Sequence, residues 1–243
     1  MYTLFKKEIN SFLNSIIGYI VLTVFLVITG LFLWVFPIEF NIPDYGYSSI
    51  NGLFVIAPWV FLFLIPAITM RSFADERKSG TLELLYTKPL TDYQLIGAKF
   101  LAGMLLVVIA LIPTIFYYLT VYFLGLPPGN IDSGATWGSY IGLLFLGGAF
   151  VSIGVFASSL SDSQIIAFIL AVFLCGFMYI GFEFIYTLSL FGPADLFVKS
   201  LGIQAHYASI SRGVIDTRDI LHFLSVIGFF LLLTKLSVER RQW

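Results

Sequence analysis

Long apolar runs alternate with short polar segments along the chain. Six of the runs are close to the roughly 20 residues that an α-helix needs to cross a bilayer core, and most of the charged residues lie between them. We therefore predict an all-α integral membrane protein in which residues 1–243 form one domain with six transmembrane helices. The predicted spans are residues 16–36, 53–70, 100–124, 140–160, 164–185 and 220–236.

Three details refine these spans. Pro113 lies inside span three, where it removes one backbone hydrogen bond and should kink the helix. Only residues 161–163 separate spans four and five, which predicts an antiparallel hairpin. Small residues four apart favour close helix packing and, more weakly, dimerisation. These small-residue pairs are Gly138 with Gly142, Gly148 with Ser152, and Gly154 with Ser158.

The first 14 residues have the pattern of an amphipathic helix. Apolar side chains recur at helical spacing from Tyr2 to Leu13, and Lys6, Lys7, Asn10 and Asn14 fall on the other side. This pattern predicts a helix in the membrane interface; the alternative is that these residues only flank span one. The apolar run at 16–36 is too long for a signal-peptide core and no small-x-small site follows it, so we expect a retained span.

Composition supports the membrane class and gives an orientation. With 59% hydrophobic residues, 11% charged residues and a mean hydropathy of +0.96, the chain has too little polar surface for a soluble globule. A net charge of −1 without a basic patch gives no reason to expect nucleic acid as a partner. Ten of the 13 Lys and Arg residues fall in alternate segments that include both termini and residues 71–99. The positive-inside rule therefore predicts that the termini and residues 71–99 are cytoplasmic.

The charged segment at 71–99 contains a short predicted helix between two breaks. Gly80 can end a helix in the left-handed conformation, and Pro89 can stop the next one. Thr91 and Gln94 have the spacing of a capping box, so the helix that enters span three should begin there. The helix between the breaks, Thr81 to Tyr86, carries an apolar face too small to be buried alone. A partner protein and the protein's own helices are equally good candidates to cover that face, which is formed by Leu82, Leu84 and Leu85.

Few residues suggest chemistry. A phosphate-binding loop is absent from the sequence, His206 and His222 lie 16 residues apart without metal-ligand spacing, and Cys175 has the setting of a packing residue. We expect no cofactor, catalytic site or metal site in this chain, and we expect His206 to be a solvated or helix-packing residue. Glu183 is the sole acid in an apolar run, which makes it either a substrate or partner contact or a solvated span end.

The outer segment between spans five and six mixes apolar and polar residues over positions 186–219. This pattern predicts short amphipathic helices at the outer interface.

The segment FADERKSGTLELLYTKPLTDYQLIGAKF, residues 73–100, resembles the type-2 exporter permeases of ATP-binding-cassette transporters. That family has the pattern E-[RK]-x-x-G-T-x-E-x-L-x-x-x-P in this loop. The matching residues are Glu76, Arg77, Gly80, Thr81, Glu83, Leu85 and Pro89. HYASISRGVIDTRDILHF, residues 206–223, is similar to the gliding-motility branch and its nitrous-oxide-reductase-maturation relatives.

The resemblance implies a permease subunit of the bacterial inner membrane without its own ATPase. The loop after span two would form a coupling helix that docks into a separate cytoplasmic subunit, which would bind ATP and Mg²⁺. A second permease, identical or related, would complete the translocation path for export. A different class of function stays open, because the spans carry few polar residues: a structural membrane anchor of a secretion or motility machine that carries no solute. An intramembrane enzyme is less favoured, since the sequence offers Glu183 no evident partner.

Overall fold

The computed structural model describes residues 1–46, 48–81, 91–189 and 192–239. Within these ranges the chain is helical and contains no β-strand. We number the α-helices in chain order: α1 Tyr2–Leu13, α2 Ile16–Trp34, α3 Ile42–Tyr45, α4 Asn51–Thr69, α5 Arg71–Lys78, α6 Asp92–Leu111, α7 Ile115–Leu124, α8 Ser133–Leu160, α9 Gln164–Gly176, α10 Phe182–Thr187, α11 Asp195–Ser200, α12 Ile203–Ile210 and α13 Thr217–Glu239.

The six predicted spans are confirmed as helices long and apolar enough to cross a membrane. Spans three, four and six begin three to eight residues earlier than the apolar runs indicate, because polar caps lie outside those runs. The Thr91 side chain accepts from the Gln94 N–H and the Gln94 side chain accepts from the Thr91 N–H, so the predicted capping box is present. Asp132 caps α8 in the same way through the Ala135 N–H.

Two spans depart from regular α-helix. The predicted break at Pro113 is a short 3₁₀ segment, Ile112–Thr114, between α6 and α7. Span five contains a π-helical segment, Phe177–Gly181, between α9 and α10, which the sequence did not indicate. Such segments insert one extra residue per turn and are often found at functional sites.

Helix α8 forms the centre of the molecule. In its most apolar stretch 78% of the residues are buried, against 22% in spans one, five and six. A Cβ at Gly142 would lie 2.6 Å from the Ile210 side chain, and one at Gly138 would lie 2.8 Å from the Gly213 carbonyl. The small residues of span four therefore admit close neighbours within the same chain, and the suggestion that they favour dimerisation is not needed to explain them.

The N-terminal helix is an element of its own. Asn14 and Ser15 separate α1 from α2, and the Ser15 hydroxyl accepts from the Gly18 N–H at 3.4 Å. Helix α1 packs on α6 and on the start of α2, and it buries Leu4 and Phe12. Because α1 ends at a capped break, it does not simply extend span one; its place in the membrane interface stays a prediction.

Candidate functional site

Several of the charged residues predicted to be cytoplasmic meet at α5, the eight-residue helix that follows span two. Met70 alone separates α4 from α5. Ser158, fully buried near the end of α8, bonds across this break. Its hydroxyl accepts from the N–H groups of Phe73 and Ala74 at 2.9 and 3.1 Å and donates to the Met70 carbonyl at 2.9 Å. The first turn of a helix has no backbone partners for its N–H groups, so Ser158 acts as a cap supplied by another span.

The far end of α5 has the predicted left-handed glycine. Gly80 has a φ of +68°, and its N–H donates to the Arg77 carbonyl at 3.0 Å. Ser79 bonds back to the Asp75 carbonyl at 2.7 Å. Helix α5 is therefore closed at both ends, by Ser158 at its start and by the turn at Gly80 at its end.

Four charged residues form a compact ionic cluster on one side of α5. Lys99 of α6 lies 2.9 Å from a Glu8 carboxylate oxygen and 2.8 Å from a Glu76 carboxylate oxygen, and its ammonium also donates to the Ser72 carbonyl. Lys7 donates to the other Glu76 oxygen at 2.9 Å. The Lys99 side chain has no solvent exposure and Glu76 has 8%. Two ammonium groups thus balance two carboxylates, as buried charges require.

The electrostatics of Lys7 follow from this arrangement. Partial burial acts to lower the pKa of Lys7, but the hydrogen bond and the negative charge of Glu76 outweigh burial, so the pKa is raised above its usual 10.5. Lys7 is therefore charged at physiological pH and holds α1 against α5.

The other side of α5 contacts the starts of spans one and five. Arg71 donates to the Ser15 hydroxyl at 3.1 Å and lies 3.3 Å from Asp75. The Gln164 amide at the start of α9 donates to Asp75, and Arg77 lies 3.8 Å from Asp162 in the turn before α9. We call α5 and these bonded side chains the α5 junction. It connects α1 with the ends of spans one to five that lie on one side of the molecule.

The junction accounts for two of the residues that match the family pattern. Glu76 and Arg77 point into the protein, where they bond to α1, α6 and the turn before α9. Gly80 and Thr81 are exposed just beyond α5. The predicted helix Thr81–Tyr86 falls almost wholly on residues 82–90, so Glu83, Leu85 and Pro89 lie outside the described residues.

Glu183 has a partner that the sequence did not reveal. Lys199 of α11 donates to Glu183 at 3.1 Å and lies 4.6 Å from the centre of the Tyr186 ring. Both charged side chains are about one-third exposed. The spacing of 16 residues across an irregular loop gave no reason to pair them. Whether Glu183 also contacts a substrate or a partner stays a prediction.

Sequence reasoning also missed Lys99, Glu8 and Ser158. The one available signal was Lys99, a lysine at the start of an apolar run, which needs an acidic partner if the helix around it is buried. Within the described part of the chain, no group of three or more His, Cys, Asp or Glu residues is placed to hold a metal ion.

An apolar groove opens between spans one, two and five. Its volume is about 710 Å³. Its lining residues include Val24 and Phe32 of α2, Trp59 and Phe63 of α4, and Phe168 of α9, and all of its lining side chains are apolar or aromatic. The groove therefore offers no charged group to a ligand.

Comparison with known proteins agrees with this architecture. The family model for the ABC-2 family transporter protein matches residues 36–204, which is more than two thirds of the chain and covers spans two to five. No curated protein matches the chain. The matched region contains α5 and its contacts with α6, α8 and α9. On this match the chain belongs to the ABC-2 family of transporter proteins and is a multi-pass membrane permease of an ATP-binding-cassette transporter.

Proposed function

We propose that this permease couples ATP hydrolysis by a separate cytoplasmic subunit to export across the bacterial inner membrane, and that residues 76–89 carry the coupling, with Glu76 and Arg77 inside the α5 junction and the residues from Gly80 onward as the contact with that subunit. The observation that carries the proposal is the α5 junction. Its side chains bond to α1 and to the ends of spans one, three, four and five. A displacement of the loop after α5 would therefore reach several spans at once.

The mechanism requires two arrangements of the spans that nucleotide binding favours differently. Closure of the ATP-binding subunits would push on the loop at 81–90, and α5 would pass that movement to the spans. The three hydrogen bonds of the Ser158 hydroxyl give α5 a fixed attachment on the central helix α8. Spans one and five would tilt in response; like span six, each has only 22% of its most apolar stretch buried.

The docking assignment is tested by two substitutions in the loop, Glu83→Lys and Leu85→Asp. We expect both to abolish co-purification with the ATP-binding subunit and stimulation of its ATPase, while the permease still inserts in the membrane. Glu39→Lys is the matched control, because Glu39 is exposed in the predicted outer loop. If both loop variants bind the ATPase and stimulate it normally, the residues from Gly80 onward are not the contact.

We further propose that two permeases, identical or related, enclose the path along the groove between spans one, two and five. The groove is wide, apolar and open along the flank of one copy, so a second copy would complete its wall. A cysteine at Trp59 should form crosslinks between copies in the membrane. Crosslinks from Leu224→Cys, exposed on span six, and none from Trp59→Cys would place the interface elsewhere.

The similarity of residues 206–223 to the gliding-motility branch supports a role in gliding. Deletion of the gene in a gliding bacterium should then abolish colony spreading, and the intact gene should restore it. Normal spreading in the deletion strain would remove this assignment and leave the permease function untouched.

One observation favours a second function, that of a membrane anchor for a motility or secretion machine that carries no solute. The groove between spans one, two and five has an entirely apolar lining, which offers little to a polar substrate. ATP-dependent movement of any candidate substrate into vesicles that contain the purified complex would exclude the anchor. A complex that hydrolyses ATP and moves none would favour it.

A further inference from the structure

Two histidines and an aspartate meet where α11, α12 and α13 join, on the predicted outer side. The two ring nitrogens of His206, on α12, contact different groups. Nδ1 lies 2.7 Å from an Asp219 carboxylate oxygen at the start of α13, and Nε2 lies 2.8 Å from the Ser200 carbonyl at the end of α11. His222 stacks on the His206 ring with the ring centres 3.9 Å apart and the planes 19° apart. These residues, which sequence spacing kept apart, form one cluster that we call the outer latch.

The two contacts of His206 fix the number of protons in the outer latch. A backbone carbonyl can only accept, so Nε2 must carry a proton. The contact between Nδ1 and Asp219 also needs a proton, either on the ring or on the carboxyl group. His206 and Asp219 therefore share two protons in both arrangements, one more than a neutral imidazole beside a carboxylate would carry. The number of protons is the same whether the proton between them lies on Nδ1 or on the Asp219 carboxyl group.

The surroundings of His206 are compatible with one added proton on the His206–Asp219 pair and disfavour a further proton on His222. His222 lies face to face with His206, so a charge on both rings would be repulsive, and its buried Nε2 has no hydrogen-bond partner among the described residues. The first turn of α13 also carries Asp219, which bonds to His206, and Arg218, which is exposed. From α11 the titratable groups are Asp195, which is buried, and Lys199, which pairs with Glu183. The other elements packed against α12, namely α8 and the π-helical segment, contain no charged residue.

Helix α12 is also hydrogen-bonded to span two. Tyr207, next to His206, donates its hydroxyl to the Phe54 carbonyl at 2.7 Å. Phe54 lies four residues before Pro58 in α4, and proline has no N–H to give to that carbonyl. The Tyr207 hydroxyl therefore replaces the missing helical bond. The Phe54 carbonyl therefore keeps this hydrogen bond only while α12 stays in place.

We propose that the outer latch is a proton-dependent set of contacts that holds α12 against α11 and α13. These contacts thereby keep the Tyr207 hydroxyl bonded to the Phe54 carbonyl of span two. With the shared proton bound, both contacts of His206 form. When it is lost, one contact becomes a repulsion between lone pairs, and α12 loosens. The latch is therefore closed while the shared proton is bound, and it opens when a rise in pH removes that proton. This device is separate from ATPase docking and does not rest on it.

The test is the pH dependence of backbone hydrogen exchange in α12, measured on the full chain in lipid nanodiscs. Protection factors at 203–210, which correct for the intrinsic effect of pH, should fall about fivefold between about pH 5.5 and about pH 8.5. The central helix α8 is the internal reference and should not change. Protection at 203–210 that is the same at both pH values would overturn the proposal.

Two variants identify the titrating group. His206→Gln can still donate and accept but takes up no proton, so protection at 203–210 should become independent of pH. His222→Phe keeps a stacked ring and removes the other titratable imidazole, so the pH dependence should persist. Dependence that survives in His206→Gln, or disappears in His222→Phe, would contradict the assignment.

A direct measurement keeps the proposal testable if His206→Gln does not fold. Nitrogen-15 spectra of labelled histidine and carbon-13 spectra of labelled aspartate carboxyl groups in the wild-type protein report together how many protons the His206–Asp219 pair carries. The pair should carry one proton more at about pH 5.5 than at about pH 8.5, and the His222→Phe spectrum assigns the histidine signals to the remaining ring. A ring at position 206 and a carboxyl group at position 219 that both stay in one state over this range would overturn the proposal.

Discussion

A single buried hydroxyl secures the break between span two and α5. Ser158 makes three bonds across that break, and its replacement leaves two N–H groups and one carbonyl without this partner. We expect Ser158→Ala to lower the free energy of unfolding by about 2 kcal/mol, the cost of an unsatisfied buried group. Thermal unfolding in detergent, followed by tryptophan fluorescence, measures the loss.

Ser152 provides the matched control. It is equally buried on α8, but its hydroxyl donates only to the Ala149 carbonyl of its own helix at 2.7 Å. Ser152→Ala should therefore cost less than about 1 kcal/mol. Equal losses for the two alanine variants would mean that the bonds of Ser158 to α5 contribute nothing specific.

The Tyr207 hydroxyl and Pro58 form a second residue-level dependence. Tyr207→Phe removes the only donor recorded for the Phe54 carbonyl among the described side chains, and we expect a loss of about 1 to 3 kcal/mol. Pro58→Ala supplies the missing N–H from within α4, so in that background Tyr207→Phe should cost less than about 1 kcal/mol. A double-mutant cycle on unfolding free energies measures this coupling. Additive effects would show that the phenol does not replace the helical bond.

At the scale of elements, the ionic cluster determines how α1 is held. Lys99→Met leaves Glu8 and Glu76 facing each other with Lys7 alone to balance them, and breaking a buried pair in this way costs about 3 to 5 kcal/mol. We expect α1 to detach first, seen as loss of hydrogen-exchange protection over residues 2–13. Adding Glu8→Gln restores a balanced pair and should recover part of the protection.

Lys6, which is exposed on α1, provides the control for the ionic cluster. Lys6→Ala should leave protection over 2–13 within experimental error, since exposed charges contribute little. Equal loss from Lys6→Ala and Lys99→Met would point to a general effect of helix charge. The raised pKa of Lys7 keeps this side chain charged across the physiological pH range. Its contribution is complete below about pH 10.5 and is lost only as the pH rises beyond that value.

The elements differ in how far the sequence could predict them. The spans follow from run length alone. Gly80 marked the end of α5, Pro113 the break inside span three, and the Thr91–Gln94 pair the start of span three, because each acts through local backbone geometry. The α5 junction was not predictable, since Ser158 and Gln164 lie more than 80 residues from the α5 residues to which they bond, and those contacts depend on how the helices pack. The partners of Glu183 and His206 could not be predicted for the same reason. The π-helical segment follows Gly176 and ends at Gly181, but glycines also occur within the regular helix of span four, so they did not mark it.

At the scale of the whole molecule, orientation decides which compartment meets each site. The distribution of Lys and Arg predicts that α5 faces the cytoplasm and that the outer latch does not. Lys78→Cys, exposed at the end of α5, and Val214→Cys, exposed between α12 and α13, report the two sides. A membrane-impermeant maleimide should label Val214→Cys in intact cells and Lys78→Cys only after permeabilisation. The wild-type protein should stay unlabelled, because its Cys175 is buried. The reverse pattern would place α5 where no ATP-binding subunit can reach it, and the coupling proposal would fail with the orientation.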